Sequence, residues 1–161
     1  MTRSRQIAVI GKGAGDAELE SLAEDVGRRL AEADAVVVCG GLGGVMEAVA
    51  RGASQAGGSV IGIVPGDDPA SANPHCTHVV ASAIRSARNL AVVASGQAVI
   101  AIGGEWGTLS EIGHARQFGR PVIALRSWAV RSGSPLEGDQ GIEIAADPES
   151  AVEAALAAVR R

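Results

Sequence analysis

The sequence predicts an α/β fold, a single Rossmann-like, doubly wound domain with a mostly parallel sheet of six or seven strands flanked by helices. Three observations carry this prediction. Short β-branched runs alternate with segments of helical period along the chain. There are 22 glycines in 161 residues, too many for a helical bundle and suited to tight strand-to-helix turns. Hydrophobic residues reach 47% while aromatics are 2%, so the core has to be aliphatic. This length favours one domain over residues 1–161, enough chain to bury about 70% of its unfolded surface.

Ile7–Ile10 reads as the first strand. Asp16 caps a helix whose apolar positions Leu19, Leu22, Ala23, Val26, Leu30 and Ala33 recur at helical spacing. Ala35–Val38 is a buried strand, and the helix after its glycine loop runs through Val45, Val49 and Ala53. Ser59–Val64 is a third strand, stopped by Pro65-Gly66, and Asp67 to Cys76 is a loop broken by Pro69 and Pro74. Thr77–Val80 reads as a short strand. Ala83–Ser95 reads as a helix with Ile84, Ala87, Leu90, Ala91 and Ala94 facing inward. Ala98–Ile102 is the fifth strand, Thr108–Phe118 a helix and Val122–Leu125 the sixth strand. Ser127 to Gly141 has little regularity, and Ile142–Ala145 reads as a last strand. Asp147-Pro148-Glu149 then combines a cap, a proline at the first helical position and a carboxylate near the dipole.

Composition removes several function classes. Net charge is −4 with no basic run, against nucleic acid as a partner. No apolar run reaches membrane-spanning length. Two cysteines, Cys39 and Cys76, are too few for a disulfide scaffold, and Met-Thr-Arg-Ser-Arg-Gln leads directly into a strand, so a cytoplasmic location is expected. Lys12, in a Gly-Lys-Gly turn, is the lone lysine, a poor basis for pyridoxal-phosphate chemistry, which requires a Schiff-base lysine. His75-Cys76-Thr77-His78 lacks a second cluster to complete a zinc site, so no metal is expected.

The chemistry concentrates at strand ends. Ile102-Gly103-Gly104-Glu105-Trp106-Gly107-Thr108-Leu109-Ser110-Glu111 joins a strand, a glycine turn and a helix start carrying one carboxylate. Backbone N–H groups and the helix dipole there make an anion site, so a phosphate is the expected ligand, with Glu111 on the first turn beside it. Gly40-Gly41-Leu42-Gly43-Gly44 allows close approach of a ligand to the backbone in the same way. Gly11-Lys12-Gly13-Ala14-Gly15 departs from G-x-G-x-x-G, its third glycine coming too early, and reads as a flexible first turn able to touch a ligand. Arg85 and Arg88 lie three apart on the expected 83–95 helix and share a face there, with Arg88 the stronger ligand contact.

Together these residues resemble the Rossmann-like superfamily of the Lonely Guy proteins, once labelled lysine decarboxylases. Its P-G-G-x-G-T-x-x-E motif is matched by Gly103, Gly104, Gly107, Thr108 and Glu111, with Ile102 in place of the proline and two residues instead of one between Gly104 and Gly107. Gly44-Val45-Met46 is similar to its Gly-Leu-Met, and Arg88 matches an Arg-Lys pair that Asn89 breaks. A small subfamily is more similar still, through Gly43–Val49 (which includes Glu47), Pro65-Gly66-Asp67-Asp68, Ala72-Asn73-Pro74 and Ala87-Arg88-Asn89. A molybdenum-cofactor carrier resembles that same subfamily.

The resemblance implies a phosphorylated nucleotide-like ligand held by Gly40, Gly41, Gly43, Gly44, Gly103, Gly104, Gly107 and Thr108, with Met46, Glu47 and Asn89 as further contacts. It implies hydrolysis of a nucleoside 5′-monophosphate to free base and ribose 5-phosphate, with Arg88 and Glu111 catalytic and no cofactor required. The alternative is a non-catalytic carrier or sensor of a phosphorylated ligand such as molybdenum cofactor. Either way a homo-oligomer, dimer or tetramer, is implied.

Overall fold

The computed structural model describes residues 3–130 and 141–159. The chain runs β1 (Gln6–Gly11), α1 (Ala17–Glu32), β2 (Val36–Cys39), α2 (Val45–Gln55), β3 (Val60–Val64), β4 (His78–Ala81), α3 (Arg88–Ser95), β5 (Ala98–Ile102), α4 (Trp106–Gln117), β6 (Val122–Leu125), β7 (Glu143–Ala145) and α5 (Pro148–Val159). Single 3-10 turns lie at Pro69–Ser71 and Arg85–Ala87. One seven-stranded sheet results, ordered β4-β3-β2-β1-β5-β6-β7. Every pairing is parallel, as in Ile7↔Val37 and Ile7↔Ala98.

Parallel sheets need cover on both faces, which is why the inner strands read as unbroken apolar runs. Alternate residues divide between two cores. Ile7, Val9, Ile100 and Ile102 meet α1, α2 and α5, while Ala8, Ile10, Val99 and Ala101 meet α3 and α4. The first layer is drawn tight by missing side chains: a Cβ on Gly27 would stand 2.1 Å from Val49 O, and one on Gly52 would stand 1.9 Å from Glu24 O. Asp16 caps α1 through Leu19 N at 3.1 Å, and Asp147 Oδ1 accepts from Ser150 N at 2.8 Å at the start of α5.

Several expectations are corrected. The 83–95 helix is α-helical only from Arg88, because Ala83 and Arg85 sit at φ 56° and 53°, outside helical geometry. Arg85 and Arg88 therefore share no helical face. Its buried side chains are Arg88, Val92 and Val93, whereas Ile84 and Leu90 are 52% and 38% exposed. The short strand before it is shifted by one residue, to His78–Ala81, at a sheet edge. The helix after β5 starts two residues early, at Trp106, which moves Glu111 to its second turn. Residues 131–140 of the irregular stretch lie outside the described residues.

Candidate functional site

β1 lies between β2 and β5, so the chain leaves β1 to one side and later returns on the other. The connections diverge at such a switch point and leave a crevice at the carboxyl ends of the strands. A cleft of about 400 Å3 opens there, walled by Val9–Ala14, Gly40, Met46, Arg88, Asn89, Glu105, Gly107, Thr108 and Glu111. Arg88 and Asn89 also wall a neighbouring cavity of about 700 Å3, completed by Pro65–Asp67, Ala83, Arg85 and Ser86.

The first turn of α4 forms one end of the cleft. Glu105 precedes it in extended conformation and no side chain caps it, which leaves main-chain donors of the first turn unclaimed by side chains. Gly103 and Gly104 shape the entry with φ of 56° and 107°. Neither lines the cleft: their missing side chains make room for Leu19 and Thr108. Gly107 is different: it lines the cleft, a Cβ there would meet nothing within 4 Å, and its φ is unremarkable.

The second glycine loop contributes less than its composition implies. Gly40 lines the cleft, and a Cβ there would stand 2.7 Å from Arg88 Nη1 and 2.6 Å from Met46 Sδ. Gly41, at φ 73°, packs on Val64, and Gly44, at φ 64°, packs on the Lys12-Gly13-Ala14 backbone. Lys12 O accepts from Val45 N at 2.9 Å, occupying a donor at the start of α2. The first loop thus lies between the second loop and the cleft. Gly41, Gly43, Gly44 and Glu47 are absent from the wall, and residues 11–14, read from the sequence as a flexible turn able to touch a ligand, stand in it. The sequence signal was the lone lysine immediately after β1.

Arg88 and Glu111 face the same space. Arg88 is 8% exposed; Nη1 donates to Asn89 Oδ1, and the buried Nε has no partner. Burial holds its pKa below the ordinary arginine range, opposed by the Glu111 charge. Glu111 is 9% exposed, and burial pushes its carboxyl up to about 7 against the pull of Arg88. No ion pair within 4 Å joins the two, so a buried cation and a buried acid stand apart across a polar cleft. That combination marks sites where ligand or chemistry supplies the missing partner.

His75, Cys76 and His78 lie away from the cleft wall, and among the described residues no group of three or more His, Cys, Asp or Glu could hold a metal ion. No described helix is long and apolar enough to cross a membrane.

Residues 4–152 match the SLOG cluster4 family. The chain belongs to that family. An uncharacterized protein of Archaeoglobus fulgidus is 39% identical over 147 residues, 91% of each chain. The molybdenum cofactor binding protein of the phototrophic bacterium Rippkaea orientalis superposes with a TM-score of 0.87 at 29% identity, covering 98% of both chains. The molybdenum cofactor carrier protein of Chlamydomonas reinhardtii superposes at 0.85 with 26% identity, covering 98% of this chain and 99% of the other. The family match and these superpositions place the chain in the Rossmann-like superfamily of the Lonely Guy proteins.

Proposed function

We propose that this chain binds a small phosphorylated ligand in the cleft at the carboxyl ends of β1, β2 and β5. The observation that carries the reading is the buried Arg88 guanidinium with its unpaired Nε, set beside an α4 start that no side chain caps. A buried unpaired charge is costly, and an anion bridging Arg88 and the α4 amides would repay that cost. Lys12 is the further cation in the wall. Gly107 leaves the room a phosphate needs to approach the main chain, and Thr108, 4% exposed, adds a hydroxyl.

The cargo we favour is a phosphorylated pterin bearing molybdenum, carried rather than transformed. The similarity to proteins described as molybdenum cofactor binding and carrier proteins supports this class. A phosphate at α4 would leave the planar part to the remaining wall and to the neighbouring cavity beyond Arg88 and Asn89. Exposed Leu90 on α3 and exposed Ile84, four residues before that helix begins, support self-association as part of the same proposal.

A second reading keeps the site catalytic, and Glu111 favours it. A carboxyl near 7 can both give and take a proton around neutrality, as cleavage of a nucleoside monophosphate into base and ribose 5-phosphate requires. Asn89 stands where the family pattern has lysine, so Arg88 would be the sole cation of that pair. One experiment separates the readings. The purified chain is analysed by mass spectrometry for retained small molecules and incubated with the common 5′-monophosphates under chromatography. A retained phosphorylated pterin without base release supports carriage. Base release that falls about 10²-fold in Glu111→Gln supports hydrolysis. Neither retention nor release, with no stabilisation by any phosphomonoester, would overturn both.

A further inference from the structure

Cys39 and Cys76 stand outside the cleft wall, yet the fold brings them together through a glycine. Cys39 ends β2 and is fully buried; its register partner on β3 is Gly62. Parallel partners direct side chains to the same face of the sheet. Cys76 enters the space that a side chain at 62 would fill: a Cβ there would lie 2.5 Å from Cys76 Sγ. A glycine inside a strand marks such a close approach. The two thiols are near enough to shift each other's ionisation, and both lie on the core face shared with α1 and α2.

Cys76 is also tied to the second glycine loop. Its thiol donates to Asn73 Oδ1 at 3.6 Å. Asn73 N donates to Gly41 O at 2.8 Å, and Asn73 Nδ2 donates to Leu42 O at 2.9 Å. Asn73 is therefore a clip whose one side holds the loop and whose other side holds Cys76. Cys39 is joined directly to Gly40, which touches Arg88.

We propose that Cys39 and Cys76 form a redox-active dithiol that closes to an intramolecular disulfide by exchange with a low-molecular-weight disulfide, and that closure releases the Asn73 clip from the glycine loop. The neighbouring Cys39 thiol lowers the pKa of Cys76 against the opposing effect of burial, and Cys76 is the more accessible of the two. Cys76 is thus the attacking sulfur. It gives up its proton and attacks the reagent, whose S–S bond breaks; one reagent thiolate leaves and takes that proton. Cys39 then loses its proton and attacks Cys76 Sγ, the mixed S–S bond breaks, and the second reagent thiol departs. Two protein thiols are oxidised and one reagent disulfide is reduced to two thiols. The closed form has no S–H for Asn73 Oδ1, and the Cys76 side chain is drawn toward Cys39.

The test equilibrates the chain in glutathione buffers of rising oxidised fraction. Intact mass after thiol alkylation reads the bond, and amide hydrogen exchange at Asn73 reads the bond to Gly41 O; neither readout depends on any ligand. Oxidised protein is expected to lose two hydrogens, take no alkyl group and carry no glutathione, and its Asn73 amide should exchange about tenfold faster than in the reduced protein. Cys76→Ser and Cys39→Ala should show neither change. Two alkylatable thiols throughout, a glutathione adduct that stays on Cys76, or a disulfide with unchanged Asn73 exchange would each overturn the proposal.

Discussion

Two glycine-rich loops, 40–44 and 103–107, look alike in the sequence and do different work in the fold. Each links a buried strand to a helix, and each contains glycines at positive φ. Loop 40–44 turns most of itself toward protein: Gly44 lies against the backbone of residues 12–14, and α2 receives Lys12 O at its start. Loop 103–107 packs two of its glycines inward and opens the third, Gly107, onto the cleft. A glycine required by packing and a glycine left for a ligand are indistinguishable by composition. What separates them is whether protein atoms already occupy the space a side chain would take.

Mutation sharpens the contrast. Gly44→Ala combines a left-handed φ of 64° with a Cβ 2.5 Å from Lys12 O, a backbone atom that cannot rotate away. It should cost more than about 3 kcal/mol of stability in denaturant unfolding. An effect below about 1 kcal/mol would mean that the two loops separate easily.

Glu111 ranks next, and its effect depends on pH. Its carboxyl moves from the usual 4.5 to about 7 on folding, so the native state prefers it protonated. The stability this group contributes is complete below 4.5 and is lost as pH rises through about 7. That displacement corresponds to on the order of 3 kcal/mol. Glu111→Gln should therefore match the wild type near pH 4 and exceed it by that order near pH 8. Equal stability across the range would show that the carboxyl is not displaced. Phosphomonoester affinity should also decline above pH 7 in the wild type, as the carboxylate comes to repel the dianion, and should be flatter in the variant.

Arg88→Met retains the aliphatic stem and removes a buried, incompletely paired charge. Stability should hold while affinity for a phosphomonoester falls about 10²-fold, the scale of a lost hydrogen bond to a charged group. Retained affinity in calorimetry would assign the anion elsewhere. Gly107→Ala is the mildest change. A helical alanine in open space should leave stability equal or raise it by up to about 1 kcal/mol. Affinity should nonetheless drop about tenfold, because the methyl group occupies the approach to the α4 amides. Loop 40–44 should yield no variant with this signature.

These outcomes bear on what the sequence could convey. The layered parallel sheet was legible because apolar runs, helical periods and caps such as Asp16 and Asp147 all pointed one way. Gly107, Thr108 and Glu111 could be read as one strand-to-helix turn from their spacing, whereas Arg88 was singled out on a separate helix; all four line one cleft. The 83–95 segment misled because Ile84, Leu90 and Ala94 follow helical spacing. Two left-handed residues, Ala83 and Arg85, break the helix there and carry no sequence mark. Residues 11–14 were readable as a turn able to touch a ligand, but not as the layer that backs the cleft. Only the packing of Gly44 onto that loop places it between the second loop and the cleft. The nearness of Cys39 and Cys76, 37 positions apart, depends on the β2–β3 register and on Gly62.

The most direct measurement is a titration of the 15N-labelled chain with inorganic phosphate, followed by amide shifts in solution. Saturable shifts at Gly107 and Thr108 and at the Arg88 Nε–H, with Gly41, Gly43 and Gly44 unmoved, are the result expected of an anion site at the start of α4. Saturable shifts at Gly43 and Gly44 with Gly107 and Thr108 silent would contradict it and return the anion to the second loop.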